Sequence, residues 1–449
     1  NQGLAAALAA QERDRQRAEA HYDLAVGTVE HLLDQFSDRA LTRYPALAPL
    51  RLAAIDRAIE TFEALRTQRA DDERLTAQAA LAYRARGDAL YDLRRMDEAL
   101  AAQERQVELW RGLTEAETTS AEARHHLGIA RSRVARTLSQ LRRQPEAIAA
   151  LEAGLADARQ AIALVPEHAE FELALSSHLN NLAMNLGDAE RLDEARATFD
   201  SCIALAERQV TSMPEESRAF EVLGRALRHR YGGRFVAADA IGRVEALRRA
   251  RGAYETAYAL QPGDRGLRED IVHLDHDLAG ALLALGDLGG ARKVLEASRD
   301  EAAVLAEQFP DLTAYASAHL EVCGLLAQVT RMQAEWPAAR AAMRAVAEAS
   351  DGLADRHATD LGSAFEALMA WVNFANFLIN SPDLGPERYT EALSALERAR
   401  TRFDRLDAGP RGDVDGRRTE LQLAYNGAVA YANLGRCDEA ENAARALRP

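Results

Sequence analysis

A short phrase centred on a small residue recurs down this chain at an interval near 48 residues, and no other feature restricts the fold as strongly. It is clearest at residues 191–200, which read R-L-D-E-A-R-A-T-F-D. Near-copies read M-D-E-A-L at 96–100, Q-P-E-A-I at 144–148, W-P-A-A-R at 336–340, Y-T-E-A-L at 389–393 and R-C-D-E-A-E at 436–441. The small residue falls at Ala99, Ala147, Ala195, Ala250, Ala291, Ala339, Ala392 and Ala440, at intervals of 48, 48, 55, 41, 48, 53 and 48. A period sustained in this way marks a repeat architecture, in which each unit buries its apolar face against its neighbours. A chain of 449 residues then needs no division into separate globular domains.

Composition decides what the units are made of. Apolar residues are 48% of the chain and aromatic ones only 6%, so the core has to be built from alanine and leucine in close-packed helices. Proline, which is tolerated at helix boundaries, stands at Pro45, Pro145, Pro214, Pro262, Pro310 and Pro410. Apolar spacing predicts a long helix over 3–36, with an apolar stripe from Leu24 to Phe36 and a charged first half. Residues 1–18 then read as a stalk or linker. A second helix over 50–68 completes an N-terminal cap, residues 1–71. From 72 to 449 about eight helix pairs follow, each helix of about 18–20 residues. Insertions are expected near 229–249, where Gly232 and Gly233 break the pattern, and near 380–386.

Charge and cysteine usage remove several classes of function. A net charge of −15 argues against a general affinity for nucleic acid or an anionic membrane. Cys202, Cys323 and Cys437 form no C-x-x-C pair and read as small buried hydrophobes in separate repeats. With Lys293 as the single lysine, a G-x-x-x-x-G-K phosphate loop is excluded, and no kinase signature is present. There is no uncharged run of membrane-spanning length and no signal peptide. The chain opens on Asn1, so an anchor or targeting segment upstream is an expectation.

The units resemble tetratricopeptide repeats. Tyr83, Gly87, Tyr91 and Ala99 have the spacing of that family's signature, as do Leu179, Leu182, Ala183, Leu186, Ala195 and Phe199. Ala250, Tyr254, Ala257 and Pro262 match its second half, and Trp371, Phe374, Ala375, Leu378 and Ala392 match once a loop insertion is allowed. The resemblance covers roughly 72–449 and implies an all-α, right-handed α-solenoid of long antiparallel helix pairs that binds polypeptide on its inner, helix-A surface. Residues 18–110 are also similar to the region following the transmembrane helix in large bacterial serine/threonine protein kinases. That likeness implies a non-catalytic sensor or scaffold, either outside the cytoplasm on a single-pass membrane protein or in the cytoplasm.

Candidate sites follow from residue chemistry. Asparagines on an inner helix can hold an extended backbone with both amide groups while aromatic neighbours supply pockets. Asn373, Asn376 and Phe377 form one such group and Asn181 with Asn185 another; internal bonding of buried amides is the plainer alternative. Trp371 and Phe374 fall on core positions. The one strongly basic stretch runs from Arg225 to Arg251 and includes Arg228, Arg230 and Arg234, suited to an acidic peptide or to pairing with neighbouring carboxylates. His273 and His276 share a helix face with Glu269, a geometry open to metal binding but equally that of a solvated helix. His125 and His126 are adjacent and do not share a face. The expectation is a protein or peptide partner, no cofactor and no catalysis in this stretch. Self-association through the N-terminal helix, or a metal-dependent enzyme, are the alternatives.

Overall fold

The computed structural model describes residues 2–37, 47–117, 119–232, 239–310, 312–357, 361–406 and 414–445, and among them all regular structure is helical. Two compact units divide the chain, residues 1–230 and 231–449. The first holds α1 (Gln2–Ser37), α2 (Ala48–Gln68), α3 (Glu73–Asp92), α4 (Met96–Ala116), α5 (Ala121–Gln140), α6 (Gln144–Leu164), α7 (Ala169–Asp188) and α8 (Leu192–Ser212). Helix α9 (Ser217–Gly232) ends at the division. The second holds α10 (Ala240–Leu260), α11 (Arg265–Ala284), α12 (Leu288–Gln308), α13 (Thr313–Met332), α14 (Trp336–Arg356), α15 (Leu361–Ile379), a 3-10 turn (Pro382–Leu384), α16 (Arg388–Arg405), α17 (Val414–Asn433) and α18 (Cys437–Arg445). Each helix from α2 to α8 packs on the next, as does each from α10 to α18. Alternate helices also meet, α5 with α7, α11 with α13, α13 with α15 and α15 with α17, the contact pattern of a solenoid of helix pairs.

Six pairs, α3–α4, α5–α6, α7–α8, α11–α12, α13–α14 and α17–α18, turn on three residues, so the two helices of each run antiparallel. In the first repeat Arg94 takes the left-handed conformation (φ 60°). Its N–H reaches the Tyr91 carbonyl, and the Arg95 N–H reaches that of Leu90. This closes α3 with a Schellman cap, which satisfies carbonyls that the helix end would leave open. The same cap recurs at Arg142, Glu190, Gly286, Ala334 and Gly435, the first two at 48-residue steps from Arg94. Four of these six positions therefore hold a side chain where glycine would be unstrained. Replacing Ala334 by glycine is expected to raise stability by roughly 0.5–1 kcal/mol, by relief of left-handed strain. Chemical denaturation of the variant checks this, and a loss of stability would refute it.

The small residue of the repeat phrase lies three residues into the second helix of its pair. Ala99, Ala147, Ala195, Ala291, Ala339 and Ala392 are all 0% exposed, where a larger side chain would hold the helices apart. The structure corrects the register at Ala250, which lies about two turns further into α10. The equivalent position is Arg243, 48 residues after Ala195 and 48 before Ala291. Its Nε and Nη2 donate to the carbonyls of Tyr231 and Gly232 (2.9 and 2.8 Å) and so close the end of α9. The period is thus a constant 48 from Ala99 to Ala339. Within the stretch 229–249, where an insertion is expected, residues 229–232 belong to α9 and 240–249 to α10. By contrast, the longer step to Ala392 is taken up by the 3-10 turn, with Ser381 Oγ donating to the Phe377 carbonyl at 2.6 Å.

Local packing follows the same logic. Helices α5 and α6 approach most closely at Gly128 and Gly154, where a Cβ on either would stand 3.0 Å from the other's carbonyl oxygen. The second half of α1 docks on α2 and α3: Val26 and Leu33 are buried, and Tyr22 Oη donates to Asp72 at 2.8 Å. Leu24 and Leu32, expected in the apolar stripe, are instead exposed. All three cysteines are free thiols. Cys202 is buried as expected and burial pushes it up to about 12, but Cys323 is half-buried and Cys437 exposed. Among the described residues no helix is long and apolar enough to cross a membrane.

Candidate binding clefts

Because the period is constant, residues separated by a multiple of 48 occupy the same place in different repeats. Two clefts obey this relation. In the first unit, α5 and α7 enclose a cleft of about 440 Å³ over the second helix of their pair, α6. In the second unit, α13 and α15 enclose one of about 330 Å³ over α14. Asn181 lines the first and Asn373 the second, at positions 192 residues apart, and both side chains are exposed. Leu151 and Met343 form equivalent parts of the floor, and Ser177 and Met369 equivalent parts of one wall.

The shared shape carries different chemistry. Arg133, Arg136 and His178 in the first cleft are replaced by Leu325, Gln328 and Ala370 in the second. Arg133 and Arg136 both reach Asp88, at 3.3 and 3.0 Å, and the Arg136 guanidinium lies 4.3 Å from the centre of the Tyr91 ring. His178 Nδ1 shares a hydrogen with Ser132 Oγ at 2.6 Å, and burial holds this imidazole down at about 4. The second cleft has no arginine or lysine among its lining residues; its charges are the carboxylates of Glu321 and Glu366. Ser317 Oγ donates to Glu366 Oε2 at 2.6 Å, which fixes that carboxylate on the wall.

Of the residues singled out from the sequence, Asn181 and Asn185 come together in the first cleft, whereas Asn376 and Phe377 part from Asn373. Asn185 is nearly buried but lines the first cleft with Asn181, accepting from Ser139 Oγ and donating to the Asn181 carbonyl at 2.9 Å. Asn376 is half-buried and lies outside the cleft lining, and its carbonyl accepts from Asn380 Nδ2 at 2.8 Å. Phe377 is a correction. Expected on the inner surface, it is 5% exposed and packs against Trp336, with ring centres 6.3 Å apart. Trp371 and Phe374 are buried in the same core, as their spacing predicts.

The basic stretch is largely turned on its own neighbours. Arg230 is 8% exposed and reaches Asp200 at 3.0 Å, Arg225 pairs with Glu221, and Arg251 bridges Asp275 and Glu255. Arg228 is half-buried, and Arg234 lies outside the described residues. His273 is half-buried and His276 exposed, the latter lining the second cleft. Among the described residues no three His, Cys, Asp or Glu side chains come together in a group able to hold a metal ion. His125 is buried in a run of rings, 4.8 Å from Phe171 and 5.4 Å from His126, which stacks on Trp110 at 4.5 Å. Sequence reasoning missed Arg133, His178, Met343 and Met369. Laying the repeats over one another at a strict 48-residue step would have found them.

No protein-family model matches the chain, and no curated protein matches it. Several solved structures do. RapI in its apo form is 9% identical over 94% of this chain and 96% of its own, with a TM-score of 0.46. BtubC (BKLC) from P. vanneervenii is 15% identical over 57% of this chain and 92% of its own, with a TM-score of 0.41. TTC0263, a thermophilic TPR protein in Thermus thermophilus, is 19% identical over 54% of this chain and 98% of its own, with a TM-score of 0.31.

Proposed function

We propose that this chain is a protein-interaction module that holds extended polypeptide segments in the clefts between successive first helices of its pairs. The carrying observation is the repetition of the cleft: the same register positions open it in both units, each time with an exposed asparagine, Asn181 or Asn373, on one wall. An asparagine side chain offers a carbonyl and an amide together, the pair needed to hold a peptide unit.

The test is a peptide selected for binding to the intact chain, titrated calorimetrically against variants. Asn181→Ala or Asn373→Ala, according to the cleft occupied, is expected to weaken binding by about 1–3 kcal/mol through loss of hydrogen bonds to the peptide. Asn376→Ala, outside the cleft lining, should leave affinity unchanged. Undiminished affinity in the double variant Asn181→Ala/Asn373→Ala, with helicity intact, would rule this reading out.

A further inference from the structure

We infer that the cleft between α13 and α15 selects a segment in which an apolar side chain stands next to a lysine or arginine. This rests on the peptide-binding reading above and gives one of its two sites a ligand chemistry. The floor and walls supply Leu320, Leu325, Met343, Val346 and Met369, with Phe374 behind them, and a space of about 330 Å³ is enough for a leucine, methionine or phenylalanine side chain. Methionine is unbranched and adapts to the shape of what it meets, so Met343 and Met369 suit a pocket that admits more than one apolar residue.

Charge supplies the second half of the preference. Glu321 is exposed at one wall and Glu366, which accepts from Ser317, is half-buried at the other; His276 also lines the cleft, and no arginine or lysine does. The cleft of the first unit serves as an internal control, because the same positions there carry Arg133 and Arg136 in place of Leu325 and Gln328. One backbone frame thus carries apolar residues with two carboxylates in one unit, and in the other a mixed lining of Arg133, Arg136, Arg218, Glu170 and Asp188. A segment with acidic residues beside its apolar anchor would bring like charge against Glu321 and Glu366, whereas a basic one meets opposite charge there.

Three fluorescein-labelled 12-residue peptides test this by anisotropy with the full chain: leucine with lysine, leucine with glutamate, and serine with lysine, otherwise identical. The leucine–lysine peptide is expected to bind at least tenfold more tightly than either of the others. Glu321→Gln/Glu366→Gln should narrow its advantage over the leucine–glutamate peptide to less than threefold. Leu325→Arg, which installs the residue of the first cleft, should abolish its binding, with circular dichroism confirming the fold. The inference fails if the leucine–lysine peptide does not bind, if either control binds as well, or if binding survives Leu325→Arg. Selection of peptides from an unbiased display library keeps the two readings apart. Enrichment of acidic sequences that depend on Asn373 would overturn the charge preference and leave peptide binding standing. Failure to enrich any sequence would remove both.

Discussion

Replacing Trp371 by alanine is expected to destabilise the second unit by about 3–5 kcal/mol, the cost of a large cavity in a core that cannot collapse to fill it. The indole is 3% exposed in a cluster with Leu368, Phe374, Ala375, Leu396 and Phe403, and the Arg398 guanidinium lies 4.7 Å from its centre. Helix α15 packs on α13, α14, α16 and α17, so what the substitution removes is shared among several neighbours. Hydrogen exchange along α13–α16 is the suitable readout, because solenoid repeats can open without the rest of the chain. Loss of protection confined to these helices supports the assignment. A change below about 1 kcal/mol would mean that the indole is not the core element described.

The same helix shows how far the sequence could be read. Trp371, Phe374, Ala375 and Leu378 follow the spacing of one helical face, and their burial was legible from that alone. Phe377 was not, because the reading allowed α15 one buried face. Packed on four helices, it has little surface left to solvent, and among its described residues only Gly362, Phe365 and Asn373 are exposed. Register failed for a different reason at Arg243. A search for small residues passes over a position where arginine closes the preceding helix, and settles on Ala250 instead. The clefts depend on which side chains from different repeats come together. That is hidden until the period is known to be constant.

Acid is expected to unfold the first unit well before the second. His125, His178 and His229 each sit at about 4, chiefly because burial penalises the charged imidazole. Their surroundings do little to offset that. His178 faces His125, and His229 lies near Arg225 and Arg228; Glu170, 3.8 Å from His125, is the one carboxylate favouring a proton, opposed by His126, His168 and Arg218. In the unfolded chain a histidine titrates near 6.5. Below that pH the unfolded state binds protons that the folded state refuses, so stability falls as pH drops from 6.5 and the loss is complete below about 4. For His178, 3% exposed, the whole shift corresponds to about 3 kcal/mol. In the second unit Asp275 works in the opposite sense. Burial, partly countered by Arg251, raises it to about 6, so its folded form takes up a proton first and gains stability as pH falls from 6 towards 3.8. Hydrogen exchange corrected for intrinsic rates should therefore show α5, α7 and α9 losing protection between pH 6.5 and 4 while α11 keeps it. His178→Gln should flatten the first unit's dependence by about 3 kcal/mol across that window. An unchanged slope in this variant would show that the imidazole is not held neutral by its burial, and the acid sensitivity would then belong to the carboxylates.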